Sequence, residues 1–438
     1  QTEVPEYTII SEGKFNYEEM AERYFGPDGD LDGEALDAKK EYLKGYEEML
    51  KEDPDNAVLD KTYNIFSFST RDHEGQMRKL SAIMLYDDEP ENVIFCCPYT
   101  HTKEEECATE SIGGYEALTF FQSGLFIMPD GQGFGVDKNN IQTYLNHNLR
   151  AAQYYETLLT ALQIFSDKKK KLHWNWNLRL FGASQGAGDA IALHRFLDKN
   201  YKTLNLSKYY KTGRRDEANK ICAEYNYPKG SPTIEVPLRD VHRFEYSYVC
   251  CGPYCPEETM KTFSEWKKID YPCVIPLVIK SMLACDPVFA ETYPEDAFFS
   301  GRWNEMKTQW TWGIAPLEEL YLKKTLPSDE LNEHICRVLG VARQTTPGPT
   351  VPLWEMLSDA MTKTDSPIYK DLMQRLREQD LTTGWKPRTP TKLHYCRDDN
   401  VVPYVNTEKL FGLEMASQKF DLKLTHVACC AIYMAAEW

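Results

Sequence analysis

The sequence predicts an α/β fold in which a mostly parallel sheet carries helices on both faces. Continuous apolar runs of strand length, Val93 to Cys97 and Leu125 to Met128, read as strands buried on both sides, as the inner strands of a parallel sheet are. Stretches of helical periodicity separate these runs, the alternation that links parallel neighbours. A third observation is Leu178-Arg179-Leu180-Phe181-Gly182-Ala183-Ser184-Gln185-Gly186-Ala187-Gly188-Asp189, which runs from an apolar strand through a tight turn into a small-residue helix. A serine at the tip of such a turn is strained, with its hydroxyl exposed, and a side chain two residues to either side would strike backbone. Gly182 and Gly186 occupy those two positions.

A chain of 438 residues is long for one compact domain, so two or three units, or one core with large insertions, are expected. The net charge of −17 argues against a nucleic-acid partner, which calls for a basic stripe. No stretch approaches the run of about 20 apolar residues that a membrane helix needs. The chain begins at Gln1 with no charged-then-apolar leader, and a mature exported protein is the expectation. Thirteen cysteines include the adjacent pairs Cys96-Cys97, Cys250-Cys251 and Cys429-Cys430. Neighbours on a strand face opposite ways, so these read as small buried hydrophobes. No zinc-type spacing occurs, since Cys251 and Cys255 have the wrong gap, and neither a metal nor a cofactor is expected.

Residues 1–60, acidic with helical spacing from Glu34 to Leu43, read as a helical extension. Residues 61–256 and 389–438 read as the two parts of the core. Tyr63 to Phe68 and Lys79 to Tyr86 form paired strands around the turn chemistry of Asp72-His73-Glu74-Gly75. A helix is expected from Ile112 to Phe121. The run Pro129 to Gly135 lacks the spacing of a dinucleotide fingerprint and reads as a loop over the carboxyl edge of the sheet. A long amphipathic helix follows from Tyr144 to Phe165, with Lys168 to Lys171 complementing its carboxyl end. Residues 200–240 read as a polar excursion, Phe244 to Cys251 as a strand, and 257–388 as a helical cap holding six of the nine tryptophans. The core resumes with a strand at Lys392 to Cys396, a helix over Val405 to Ala416, a last strand at Phe420 to Leu424 and a helix through Trp438.

A serine hydroxyl needs a base to take its proton. In an elbow architecture the acid and then the histidine follow the serine in the chain. Asp399, in the turn Asp398-Asp399-Asn400-Val401-Val402-Pro403 after the penultimate strand, is the expected acid, preferred over Asp398. His426 is the single histidine beyond it. The oxyanion of an acyl-transfer intermediate needs two N–H donors. Gln185, following the serine, supplies one, and Tyr99 or Thr100 the other, since Pro98 has no N–H.

With Gly182-Ala183-Ser184-Gln185-Gly186, the Asp399 to Pro403 loop and the late His426, the chain resembles the α/β-hydrolase superfamily. The glycine loop after Asp130 and the cap before the acid strand are similar to the secretory-lipase and secreted-esterase branch and, more distantly, to prolyl-oligopeptidase-type hydrolases. One departure is Pro98-Tyr99 where the superfamily has His-Gly. The resemblance implies exported hydrolysis of a small-molecule or polymer-linked carboxylic ester without a cofactor. A serine peptidase on the same scaffold is the alternative, although no double-Glu anchor is recognisable. A binding protein that keeps the fold but not the chemistry is a third reading.

Overall fold

The computed structural model describes residues 4–15, 21–22, 25–52, 61–111, 124–341, 350–412, 416–421 and 423–435. The helix expected from Ile112 to Phe121 lies outside them. Among the described residues, nine strands form the main sheet: β1 (Tyr7–Phe15), β2 (Lys61–Arg71), β3 (Met77–Tyr86), β4 (Asn92–Cys97), β5 (Leu125–Pro129), β6 (Asn177–Ala183), β9 (Phe244–Cys250), β12 (Thr391–Tyr395) and β13 (Ala416–Asp421). Two small ribbons stand apart, β7 (Tyr201–Asn205) with β8 (Thr233–Pro237) and β10 (Lys268–Ile269) with β11 (Val351–Pro352). The order across the main sheet is β1-β2-β3-β5-β4-β6-β9-β12-β13. From β5 to β13 all neighbours are parallel, while β1, β2 and β3 pair antiparallel at one side.

The inner strands bury both faces, which is why their sequences are unbroken apolar runs. Val93, Phe95 and Cys97 of β4 join one core with Tyr154, Leu158, Ile191 and Leu197, whereas Ile94 and Cys96 join another with Phe181, Cys429 and Tyr433. The period of two thus sorts alternate residues to opposite layers. The helices covering the first face are α1 (His147–Asp167), α2 (Gln185–Lys199) and a short helix at Val405–Phe411; α6 (His426–Ala435) covers the second. A third core has its own side chains and draws on α3 (Pro256–Trp266), α4 (Val274–Cys285) and α5 (Pro367–Glu378). Among the described residues, those from 256 to 378 add no strand to the main sheet.

Three local expectations differ. Residues 7–15 are a strand rather than part of a helical extension, although Gly33–Glu52 is helical. The sequence of β1 mixes polar and apolar residues without a strict alternation, and what makes it a strand is its pairing with β2, from Tyr7 opposite Phe68 to Phe15 opposite Lys61. Residues 200–240 hold the β7–β8 ribbon over a small core of Leu206, Ala218, Cys222, Ile234 and Val236. The last strand ends at Asp421, and the expected helix over Val405 to Ala416 stops at Phe411.

Candidate active site

After β4 the chain moves to β5 on one side and then to β6 on the other, so the two neighbours β4 and β6 straddle the point where strand order reverses. Loops leaving such a point diverge and leave a crevice beyond the carboxyl ends of the strands. Ser184 leaves β6 there and Thr100 leaves β4.

Ser184 has φ 53° and ψ −122°, a strained conformation for a residue with a side chain. Its flanking glycines permit the turn. A Cβ on Gly182 would stand 2.1 Å from the carbonyl oxygen of Gly186, and one on Gly186 would stand 2.3 Å from that of Cys97. Tyr433 braces the strand end: its hydroxyl accepts from the N–H of Gly182 at 3.1 Å and donates to the carbonyl of Tyr248.

The structure brings Ser184, His426 and Asp399 together. His426 Nε2 lies 2.9 Å from Ser184 Oγ, and its Nδ1 lies 2.8 Å from Asp399 Oδ2. The other carboxylate oxygen, Oδ1, accepts from the N–H groups of Val401 and Val402 at 2.9 and 2.8 Å, so the turn after Asp399 fixes which oxygen faces the imidazole. Asn400 Oδ1 accepts from the N–H of His426 at 3.4 Å. His426 opens α6, five residues beyond the end of β13, and like Asp399 it is buried. Burial alone would lower its proton affinity; the adjacent Asp399 carboxylate, with smaller help from Cys430 and Cys251, reverses the direction and holds it well above the ordinary histidine value. Asp398 is exposed.

Of the two residues expected to offer the second donor, Thr100 borders the same cavity as Ser184, and its Oγ1 lies 3.1 Å from the hydroxyl of Tyr144. Tyr99 instead packs edge-on against His101, 4.5 Å between ring centres. Gln185 is the first residue of α2, where an N–H has no partner within the helix. The glycine loop has a structural cause. Asp130 accepts from Ser81 Oγ at 2.5 Å and from Thr109 Oγ1 at 2.7 Å, and a Cβ on Gly135 would sit 2.1 Å from its Oδ2.

Sequence reasoning missed the polar bolt behind the elbow. Arg150 Nε donates to Asp189 Oδ2 at 2.8 Å, both side chains being buried, and this pair ties α1 to α2. His147 Nε2 lies 3.2 Å from the carbonyl of Pro253. In the sequence these charges interrupt apolar periods and look like surface positions.

A cavity lined mostly by apolar side chains leads from Ser184 into the third core. Thr100, Tyr144, Val401 and Val402 line it together with Ser184. Deeper in, α4 presents Val274, Ile275, Val278 and Ile279, the one-and-four spacing of a single helical face. Met260, Phe263, Leu372 and Leu376 add to the wall, and among the described residues no charged side chain lines it. None of the six tryptophans between 257 and 388 lines it either. Trp303 stacks on Phe299 inside the third core, while Trp310, Trp312 and Trp354 are exposed.

No protein-family model and no curated protein sequence matches the chain. Solved structures do. A hydrolase of Legionella pneumophila described as putative is 15% identical with a TM-score of 0.59, covering 98% of this chain and 94% of its own. The rice cell wall degrading esterase LipA of Xanthomonas oryzae is 13% identical with a TM-score of 0.58, covering 98% and 96%. Lipase A of Candida antarctica in its closed state is 9% identical with a TM-score of 0.50, covering 98% and 83%. The chain therefore has the α/β-hydrolase fold, in the form that these esterases and lipases share.

Proposed function

We propose that the protein is a serine hydrolase of carboxylic esters whose acyl or alcohol chain is apolar, working through an acyl-enzyme on Ser184. The 2.9 Å contact between Ser184 Oγ and His426 Nε2 carries this reading. His426 accepts the hydroxyl proton as Ser184 attacks the ester carbonyl, and Asp399 at its far nitrogen holds the tautomer and stabilises the cation. The same proton returns to the leaving alcohol, and a water molecule then repeats the sequence to release the acid. The backbone N–H groups of Gln185 and Thr100 receive the oxyanion, each contributing about 3 kcal/mol to the transition state. Thr100 is preferred to Tyr99 because it, like Ser184, borders the cavity.

The cavity wall favours an ester with a hydrocarbon chain over a peptide. A peptide's charged amine calls for an anchoring carboxylate, and among the described residues no Asp or Glu lines the wall. Residues 257–388 act in this reading as a cap that supplies the pocket. An exported chain belongs to the same reading, as the resemblance implies, and a fold relative described as cell wall degrading supports it; fractionation of cells expressing the full-length gene tests it. A fluorophosphonate probe, followed by a panel of p-nitrophenyl esters and dipeptide amides, tests the activity. Labelling and ester turnover that both vanish in Ser184→Ala are expected. Labelling absent from the wild-type protein, or turnover of the amides alone, overturns it.

A further inference from the structure

Five of the thirteen cysteines converge beside His426 from three separate stretches of chain. Cys250 ends β9 and Cys251 follows it, Cys396 follows β12, and Cys429 and Cys430 lie in the first turns of α6. All five are buried. Cys251 has φ 49°, which breaks the strand alternation, so that the sulfurs of Cys250 and Cys251 both reach Cys429. The Sγ separations are 3.4 Å for Cys251 to Cys429, 3.6 Å for Cys250 to Cys429 and 3.9 Å for Cys251 to Cys396. Cys251, Cys396 and Cys429 all lie within 4.8 Å of one another.

Hydrophobic packing does not require sulfur to meet sulfur, because a buried thiol packs equally well against a methyl group. A thiolate zinc site does require it. With a metal–sulfur bond of about 2.3 Å, the edge of a tetrahedral shell is about 3.8 Å, and the three measured separations bracket that length. We propose that Cys251, Cys396 and Cys429, with Cys250, 3.6 Å from Cys429, as a fourth sulfur, form a site for a soft closed-shell dication such as zinc, which ties α6 to the ends of β9 and β12. Binding exchanges each thiol proton for a metal–sulfur bond and releases that proton to solvent; no electron is transferred. The function of the tie is positional, since α6 begins with His426, and it would add to the bonds from His426 to Asp399 and Asn400, the Tyr433 hydroxyl and the packing that hold the helix against the sheet. The spacing search of the sequence is blind to such a site because the ligands come from distant segments. The inference rests on the sulfur geometry alone and stands whether or not Ser184 is a nucleophile.

The test uses the full chain, purified in reductant without chelator. Titration with cadmium, followed by the thiolate charge-transfer absorption, is expected to saturate at one equivalent and to raise the melting temperature. The double variant C396S/C429S is expected to lose both effects, and C285S/C336S, altered away from the cluster, to keep both. Should C396S/C429S fail to fold, X-ray absorption on the wild-type zinc form decides instead, with three or four sulfur neighbours at about 2.3 Å expected. A shell of nitrogen and oxygen, an absorption that persists in C396S/C429S, or a Cys251–Cys429 disulfide in the native protein overturns the proposal.

Discussion

Around Ser184, the polar atoms answer to named partners: Asp399 Oδ1 to two backbone N–H groups, Oδ2 to His426, Gly182 to Tyr433, Arg150 to Asp189. The cavity wall on the other side of the same hydroxyl is set mainly by apolar side-chain volume, with Val278, Ile275, Met260 and Leu376 among its lining. Directional bonds fail when one atom is changed, whereas apolar walls of equal volume are interchangeable at a cost usually below about 1.5 kcal/mol. The floor is therefore where small changes should abolish chemistry, and the wall is where they should change selectivity.

The largest effect belongs to the relay. Ser184→Ala or His426→Ala should each lower kcat on an ester by about 10⁶-fold, and the double variant should be scarcely worse, because the two side chains act as one unit. Steady-state kinetics on all three proteins checks this. Additive losses would separate the two groups and break the contrast with the wall.

Asp399→Asn should cost about 10⁴-fold in kcat, and it should also move the acid limb of the pH profile. The neutral imidazole is the form that accepts the proton, and the Asp399 carboxylate holds His426 above its ordinary value, so the wild-type limb lies above that value. Removing the carboxylate leaves burial, which lowers the proton affinity, opposed only by the neighbouring Cys430 and Cys251 sulfurs, and the limb should shift to lower pH while the plateau falls. A fall in the plateau with the limb unmoved would mean that Asp399 is not what sets the charge of the imidazole.

Arg150→Ala probes the bolt rather than the chemistry. It leaves Asp189 buried without its guanidinium, a situation that costs about 3–5 kcal/mol of stability. Urea unfolding should show that loss, and the double variant R150M/D189L should recover most of it.

The floor was legible in the sequence and the wall was not, for a physical reason. Gly182, Ser184 and Gly186 are forced by backbone collisions, and Asp399 by a turn whose N–H groups clamp one oxygen; such constraints act over a few residues and leave a local pattern. The order of serine, acid and histidine then singled out His426. Thr100 and Tyr99 could not be separated, because the choice depends on which of them borders the cavity. The Arg150–Asp189 pair, the β1 strand and the sulfur cluster depend on partners distant in the chain, and local composition carries no trace of them. The wall is harder still: Val278 and Leu376 are ordinary core residues by type, and only the absence of a neighbour on one side makes them a pocket.

The smallest effect is therefore the one that defines the substrate. Val278→Trp adds bulk to the α4 face where the cavity deepens and leaves Ser184, Asp399 and His426 untouched. If the chain of the ester lies along that face, the tryptophan displaces its far end. Two methylenes kept in water rather than buried cost about 1.6 kcal/mol, so kcat/KM for a long ester should fall roughly fifteenfold while that for acetate or butyrate holds. Equal losses at both lengths would mean the chain lies elsewhere. A loss confined to the long ester fixes the cavity as its seat, and the same comparison repeated with the long chain moved to the alcohol side tells which half of the ester occupies it.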